Sequence, residues 1–248
     1  MQQVNLSSEN FSTLLRCLSI FKDVCSDIDI RNGIIRQRTN DKFSVFEIDM
    51  SSLIGNINII ISNLKQKMEL FKIFMDTDVA LTSYDTYHIL SDEYSSIRFE
   101  NPSPDYIDNK YMEQGDLENI IATNPDDIIL STDLSESITN RMRIITAVFN
   151  VNSVKVIFNE NNADISVTTQ SKDQHAKIVS NITTEKVIKC NTDIINTPFT
   201  IDHDGDIKLT MYANLTNDNS IASTVTSSKL DNLDVMIYTR SNLVFEEE

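Results

Sequence analysis

Apolar residues recur at helical spacing in three stretches of the chain. The first stretch predicts a helix over residues 11–24 that is capped at Ser7 or Ser8. Its apolar positions follow one another at i, i+3, i+4, i+7 and i+10, so they share one face of the helix. These positions are Phe11, Leu14, Leu15, Leu18 and Phe21.

The other two stretches predict helices over residues 134–149 and 64–75. Ser131 or Thr132 is the expected N-cap of the later helix. The apolar stripe of the earlier one consists of Leu64, Met68, Phe71 and Met75. A further helix near residues 191–199 would be short at best, because Pro198 and β-branched residues interrupt it.

Alternation of apolar and polar residues predicts antiparallel strands with one solvated face. Asn32-Gly33 separates two alternating runs within residues 27–35 and is the dipeptide most typical of a tight hairpin. A second hairpin is expected from residues 154–158 and 164–168, with residues 160–163 as its turn. The remaining predicted strands are residues 43–50, 79–82, 87–91, 95–100, 128–130, 176–180, 187–190, 207–212, 221–226 and 233–238.

A short string of residues occurs twice. Asp76-Thr77-Asp78-Val79-Ala80-Leu81-Thr82 returns 128 residues later as Asp204-Gly205-Asp206-Ile207-Lys208-Leu209-Thr210, and the same order of elements precedes both copies. The repeat predicts two domains of roughly 120 residues, over 1–101 and 128–248, joined by a linker over 102–127. A single merged domain is the alternative.

The net charge of −16 argues against binding a polyanion, but the charges are segregated. Residues 100–127 carry eight acids and one base, and the chain ends in three glutamates. Residues 64–75 instead carry Lys65, Lys67 and Lys72 against Glu69. A basic face on an acidic body is therefore possible.

Nothing in the sequence predicts catalysis, a metal or a cofactor. The chain has only four glycines and no phosphate loop, and its three histidines lie far apart. Residues 202–206 resemble the start of a calcium loop, but Ile207 stands where such a loop needs glycine. Cys17, Cys25 and Cys190 have no metal-ligand spacing, so buried free thiols are expected. Without a signal or membrane-spanning segment, we expect an intracellular protein that is not an enzyme.

Three motifs resemble sequence motifs of the DNA sliding clamps of the eukaryotic, archaeal and T4-type phage group. Residues 27–30 with Asn32-Gly33-Ile34 are similar to the first hairpin of that family, residues 70–79 to its second helix and following strand, and residues 91–99 to the end of its first domain. The resemblance implies an α+β fold with two tandem clamp-type domains, sheets outside and helices on the inner face. The missing fourth helix, and Ser12 and Ser19 where family members often carry lysine, depart from the family pattern.

The resemblance also implies a function. The chain would form a homotrimeric ring that encircles double-stranded DNA, receives a clamp loader and tethers a DNA polymerase. The DNA lining would come from seven basic residues, Arg16, Lys22, Lys65, Lys67, Lys72, Arg141 and Arg143. Ile120 and Ile121 would border a groove for partner peptides. The alternatives are a solvated helix face for each base and simple anchoring of the linker for the two isoleucines.

Two other functions remain open. The first is a monomeric viral processivity factor of the same fold, and the second is a β-rich structural or adaptor protein without DNA contact. The abundance of Ile and Asn indicates an AT-rich genome, which suits a phage or virus acting in the cytoplasm of an infected cell.

Overall fold

The computed structural model describes residues 1–40, 42, 44–107, 111–121, 123–171, 173–215 and 221–245, except for the side chain of Ile120. The chain divides into two compact units. The first comprises Met1–Glu113 and Leu230–Val235, and the second comprises Gln114–Lys229 and Met236–Glu248. Both units combine antiparallel strands with short helices, so the fold is α+β.

The first unit contains the elements up to residue 113. In chain order they are β1 Gln2–Leu6, α1 Ser8–Phe21, β2 Ile28–Arg31, β3 Ile34–Arg38, β4 Ser44–Asp49, α2 Ser51–Ile54, β5 Ile59–Ile61, α3 Leu64–Phe71, a 3₁₀ turn Lys72–Phe74, β6 Val79–Ser83, β7 Tyr87–Ser91, β8 Ser96–Glu100 and a 3₁₀ turn Pro104–Tyr106.

The later elements follow in the second unit, apart from Leu230–Val235. They are α4 Gln114–Ile120, a 3₁₀ turn Pro125–Asp127, β9 Ile128–Leu134, α5 Glu136–Phe149, β10 Ser153–Thr168, β11 His175–Ile195, α6 Thr197–Thr200, β12 Asp204–Tyr212, β13 Ile221–Leu230, β14 Leu233–Asn242 and β15 Val244–Phe245.

Local signals in the first unit are confirmed by the structure. Ser7 caps α1, because its hydroxyl accepts a hydrogen bond from the backbone N–H of Asn10 at 3.2 Å. The predicted hairpin turn lies between β2 and β3, where Asn32 and Gly33 have φ of +52° and +78°. Strands β5, β2, β3 and β4 lie side by side in that order, and β1, β6, β7 and β8 form a separate antiparallel sheet.

The sequence repeat is reproduced in strand pairing. In the first unit β1 pairs with β6, and Leu6 lies opposite Val79. In the second unit β9 pairs with β12, and Leu134 lies opposite Ile207. Each residue lies 128 positions from its counterpart, and β1, which the sequence analysis missed, is the counterpart of β9. The duplicated string therefore marks equivalent strands of two related units.

The predicted second hairpin is wrong. Residues 153–168 form one long strand, β10, which pairs antiparallel with the equally continuous β11. The polar stretch at 160–163 is accommodated by a register shift between Glu160 and Asn162, and Glu160 has φ of +59°. At this shift residues 184–187 of β11 lie opposite Asn161 alone, so the extra residues belong to β11 and β10 continues without reversing the chain. The strands predicted over 176–180 and 187–190 are likewise parts of β11.

Helix ends differ from the prediction in three places. The N-cap of α5 is Ser135, because Ser131 and Thr132 lie within β9 and are held there by pairing with β12. The helix expected over 64–75 tightens into a 3₁₀ turn after Phe71 and leaves Met75 exposed. Near 191–199 a strand runs to Ile195, and α6 is a single turn with Pro198 near its start.

Residues 102–127, expected to be a linker, contain secondary structure of their own. Two 3₁₀ turns, Pro104–Tyr106 and Pro125–Asp127, are each capped by the residue before them. Between them lies α4, whose Leu117 is buried. A few buried apolar side chains, such as Leu117 and Ile121, are a weak signal within an otherwise acidic sequence.

Candidate nucleic-acid interface

Arg16 lies on α1 in an ion pair. Its guanidinium contacts Asp231, which belongs to the same unit although it lies 215 residues away in sequence. The other carboxylate oxygen of Asp231 accepts a hydrogen bond from the hydroxyl of Thr13 at 3.0 Å. The charge of Arg16 is thus largely compensated inside the first unit, which makes Arg16 a weaker candidate for contact with phosphate.

Three of the predicted lysines act electrostatically on one carboxylate. The Lys72 ammonium lies 2.7 Å and 2.8 Å from the two carboxylate oxygens of Glu69. The hydrogen bond from Lys72 lowers the pKa of Glu69, and the charges of Lys22 and Lys65 contribute in the same direction. The end of α1, the start of α3 and the following 3₁₀ turn therefore create one positive field around a single acid. We call Lys22, Lys65, Lys72 and Glu69 the lysine cluster.

A cleft of about 550 Å³ lies beside the lysine cluster. Lys22 and Asp23 at the end of α1 border it, as do Lys65 and Glu69 on α3. Both lysines are exposed, so their ammonium groups are available to an anion that approaches this surface. The arrangement suits a phosphate backbone, which is bound by charge and without reading of sequence.

Lys67 does not belong to the lysine cluster. Its ammonium lies 5.8 Å from the centre of the Phe99 ring on β8, and its side chain is half-buried. Residues two positions apart point about 200° away from each other on a helix, so Lys67 and Lys65 lie on different flanks of α3. The three lysines of α3 and its extension were predicted to form one lining, but the structure divides them.

Arg141 and Arg143 are both exposed on α5, but they do not share a face. They are also two positions apart, so they lie on opposite flanks of the solvent-facing side. Arg143 donates to the side-chain oxygen of Asn140 at 2.7 Å. Between the two arginines the surface of α5 presents Ile144 and Val148, both well exposed.

The exposed apolar residues of the helices were not identified from the sequence. Leu70 and Ile73 extend outward near the end of α3, as Ile144 and Val148 do on α5. The sequence does contain a signal for them, because all four positions fall outside the buried stripes of their helices. These stripes are Leu64, Met68 and Phe71 in α3 and Thr139, Met142 and Thr146 in α5. We call the four residues the helix-flank residues.

The isoleucines proposed to border a peptide groove lie at the end of α4. Ile121 is 3% exposed, and its N–H donates to the carbonyl oxygen of Leu117 at 2.9 Å. Such burial fits the alternative role, anchoring of the segment, better than a role as groove surface. The side chain of Ile120 lies outside the described side chains.

Metal-binding groups and reactive thiols would be formed by His, Cys, Asp and Glu side chains in the described part of the chain. No group of three or more His, Cys, Asp or Glu is placed there to hold a metal ion. Cys17, Cys25 and Cys190 form no disulfide, and all three are buried as predicted. Burial raises the pKa of the Cys17 thiol to about 12 and that of Cys190 to about 11, which disfavours the reactive thiolate. None of the described helices is long and apolar enough to cross a membrane.

Solved structures share the fold of the chain over its whole length. Proliferating cellular nuclear antigen from Entamoeba histolytica is similar with a TM-score of 0.65 at 12% identity, over 98% of each chain. A. fulgidus PCNA, solved with the C-terminal region of FEN-1 bound, is similar with a TM-score of 0.62 at 12% identity, over 100% of each chain. No protein-family model and no curated protein sequence matches the chain. The fold is that of the PCNA-type sliding clamps, which confirms the predicted fold class.

Proposed function

We propose that the protein is a DNA sliding clamp, a ring that encloses double-stranded DNA without sequence specificity and tethers a DNA polymerase. The observation that carries the proposal is the lysine cluster, which joins the end of α1 to the start of α3 within a clamp fold. These are the helices that the resemblance assigns to the inner face of the ring.

The overall charge is compatible with this role. A ring holds DNA by topology, so its lining needs only a modest positive charge while the outer surface can be acidic. The lysine cluster holds three cations and one anion, and with Asp23 beside it the local charge is still positive, in a chain of net charge −16. Contact with phosphates would be weak and salt-dependent, as sliding requires.

Homotrimerisation is supported by two strand edges. β8 pairs with β7, and within the described residues its other edge is unpaired. β11 pairs with β10, and beyond its contact with β15 at Cys190 and Asn191 its other edge is likewise unpaired by any described strand. Exposed edges promote association unless they are covered. We expect residues 95–100 of one copy to pair with residues 176–180 of the next, which closes three two-domain copies into a ring.

The helix-flank residues lie on helices that pack on the strands with these two edges. α3 packs on β8 through the rings of Phe71 and Phe99, whose centres are 5.4 Å apart, and α5 packs on β10 and β11. Each strand with an unpaired edge is thus packed by a helix with exposed apolar side chains. Apolar contacts of this kind would stabilise the edge-to-edge pairing between copies.

The remaining parts of the proposal follow from the role. A closed ring needs a clamp loader to open it, and a tether needs a groove for peptides of the polymerase. Such a protein would act inside the cell. An origin in a phage or virus stays a prediction from composition alone.

The test compares two charge reversals. The double variant Lys65→Glu with Lys72→Glu reverses two charges of the lysine cluster. The control Lys67→Glu reverses one lysine on the other flank of the same helix. We expect the double variant to lose retention on circular DNA and processive primer extension, most clearly at low salt, while Lys67→Glu retains both. Linearising the DNA should release the wild-type ring.

The same experiment separates the other functions. A protein that binds DNA, stays monomeric at all concentrations and is not released by linearisation would be a monomeric processivity factor. A folded double variant with wild-type retention and unchanged salt dependence would remove DNA from these helices and favour the adaptor.

A further inference from the structure

The β2–β3 hairpin opens away from its turn. Ile30 pairs with Ile35 and Arg31 with Ile34 next to Asn32-Gly33. Farther along, the buried side chain of Gln37 bridges the two strands: its oxygen accepts from the N–H of Asp29 at 3.1 Å. The side chain thus takes a place where backbone pairing would otherwise continue, which leaves an edge of β3 for another segment.

Tyr111 and Met112 occupy this edge of β3. Tyr111 forms an isolated bridge with Gln37, and the N–H of Met112 donates to the carbonyl oxygen of Arg36 at 2.8 Å. The opposite edge of β3 is already paired with β4, where Gln37 faces Phe46. The residues from Tyr111 to Glu113, which we call the strap, therefore add to the sheet as a very short extra strand.

Two arginines flank the strap. The guanidinium carbon of Arg31 lies 4.7 Å from the centre of the Tyr111 ring, and that of Arg36 lies 5.9 Å from it. Arg31 also donates to Glu113 at 2.8 Å. An aromatic ring and an acid two positions later are thus recognised by cation–π and charge contacts.

The receiving slot is held by the sheet itself. Arg31 bonds to the buried carboxylate of Asp29 at 3.0 Å, and Arg36 pairs with Glu47 across the β3–β4 ladder. Both acids belong to strands, so the arginines remain positioned when the strap leaves. A slot that persists without its occupant can accept a different occupant with the same chemistry.

We propose that the strap is an intramolecular stand-in for a partner peptide: an extended segment with an aromatic residue and an acid two positions later displaces Tyr111–Glu113 and pairs with the edge of β3 at Arg36 and Gln37. The inference rests on the proposed function in one respect, that a clamp tethers partners through peptides. Main-chain pairing supplies affinity in this mode of binding, and the side-chain slot supplies specificity.

The probe is a fluorescein-labelled peptide with the sequence of residues 111–116, Tyr-Met-Glu-Gln-Gly-Asp, and its anisotropy is measured with the full chain and without DNA. A strap that is closed nine-tenths of the time lowers the apparent affinity of a competitor by about tenfold. We therefore expect Tyr111→Ala with Glu113→Ala to bind the peptide about tenfold more tightly than the wild type. Tyr106→Ala, which removes a tyrosine that is 86% exposed and outside the strap, should bind like the wild type.

Two further measurements fix the site. Adding Arg31→Gln to the strap variant should abolish the gain, and a peptide with Ala in place of its Tyr should not bind. In the wild type, saturating peptide should speed hydrogen exchange at the Met112 amide. Equal affinity for the wild type and a folded strap variant, or a gain that survives Arg31→Gln, would overturn the proposal. DNA retention is not read in this assay, so failure of the clamp function and failure of the strap remain distinguishable.

Discussion

The carboxylate of Asp78 accepts a hydrogen bond from the backbone N–H of Ser8, the first residue of α1, at 3.0 Å. In the second unit Asp206 does the same for Glu136, the first residue of α5, at 3.2 Å. The second aspartate of each repeated string therefore satisfies an N–H that has no partner within its helix, and its charge complements the helix dipole. This contact links the helix to the following sheet in both units.

Asp78→Ala should lower the free energy of unfolding by about 1 kcal/mol, the usual effect of losing such an acceptor at a helix N-terminus. Asp78→Asn keeps an oxygen acceptor at the same place and should lose less. Urea unfolding followed by circular dichroism measures both. An Asn variant as unstable as the Ala variant would contradict the role of the hydrogen bond.

Gly33→Ala should be strongly destabilising. A Cβ at Gly33 would lie 2.4 Å from the carbonyl oxygen of Gly55, and the residue has φ of +78°. Strain of this kind costs about 1–3 kcal/mol before the clash is relieved. Gly115→Ala is the matched control: its Cβ would meet nothing within 4 Å, and within α4 it should be neutral or stabilising. Similar melting temperatures for the two variants would contradict this account of the hairpin.

Acid should destabilise the first unit through His88. This side chain is fully buried on β7 beside Phe99, and burial lowers its pKa below 6.5, although the nearby Asn101 opposes the shift in part. In the unfolded chain the imidazole takes up a proton near pH 6.5, whereas the buried ring of the folded chain does so only at lower pH. Protonation therefore favours the unfolded state, and the free energy of unfolding decreases as the pH falls below 7. His88→Phe should therefore show a smaller fall in melting temperature between pH 7 and pH 5 than the wild type.

The exposed His175 provides the comparison for this effect. His175→Ala should keep the wild-type dependence of the melting temperature on pH. If His88→Phe also kept it, the acid sensitivity would have to come from other groups.

Features with local causes could be predicted from the sequence, whereas those with distant causes could not. Asn32-Gly33 and Ser7 act on their immediate neighbours, and both were placed correctly. The Arg16–Asp231 pair joins residues 215 positions apart, so no helical pattern reveals it. The turn-like residues 160–163 lie within a strand because pairing with β11 outweighs the local preference of polar residues for turns.

The candidate site divides in the same way. Amphipathic spacing located α1, α3 and α5 and hence most of the basic residues. Which lysines converge depends on the flank of the helix each occupies and on how α1 meets α3. Composition shows neither the flank of each lysine nor the packing of α1 against α3. The prediction therefore placed Lys67 in the same DNA lining as Lys65 and Lys72.

Val148 offers the sharpest test of the proposed ring. It is one of the helix-flank residues and is 74% exposed, so Val148→Glu should leave the fold of a single chain unchanged. Within a ring it would place a charge against apolar side chains of the next copy, which costs on the order of a few kcal/mol at each contact. Native mass spectrometry at micromolar concentration should then find monomers where the wild type gives trimers.

Val187 provides a control of the same chemistry. It is 73% exposed on β11 but lies outside the residues expected to pair between copies, so Val187→Glu should remain trimeric. Because both variants add one negative charge to an exposed valine, net charge cannot explain a difference between them. If Val148→Glu remained trimeric, the contact between copies would lie away from α5. If both variants dissociated equally, the dissociation would be due to general charge repulsion.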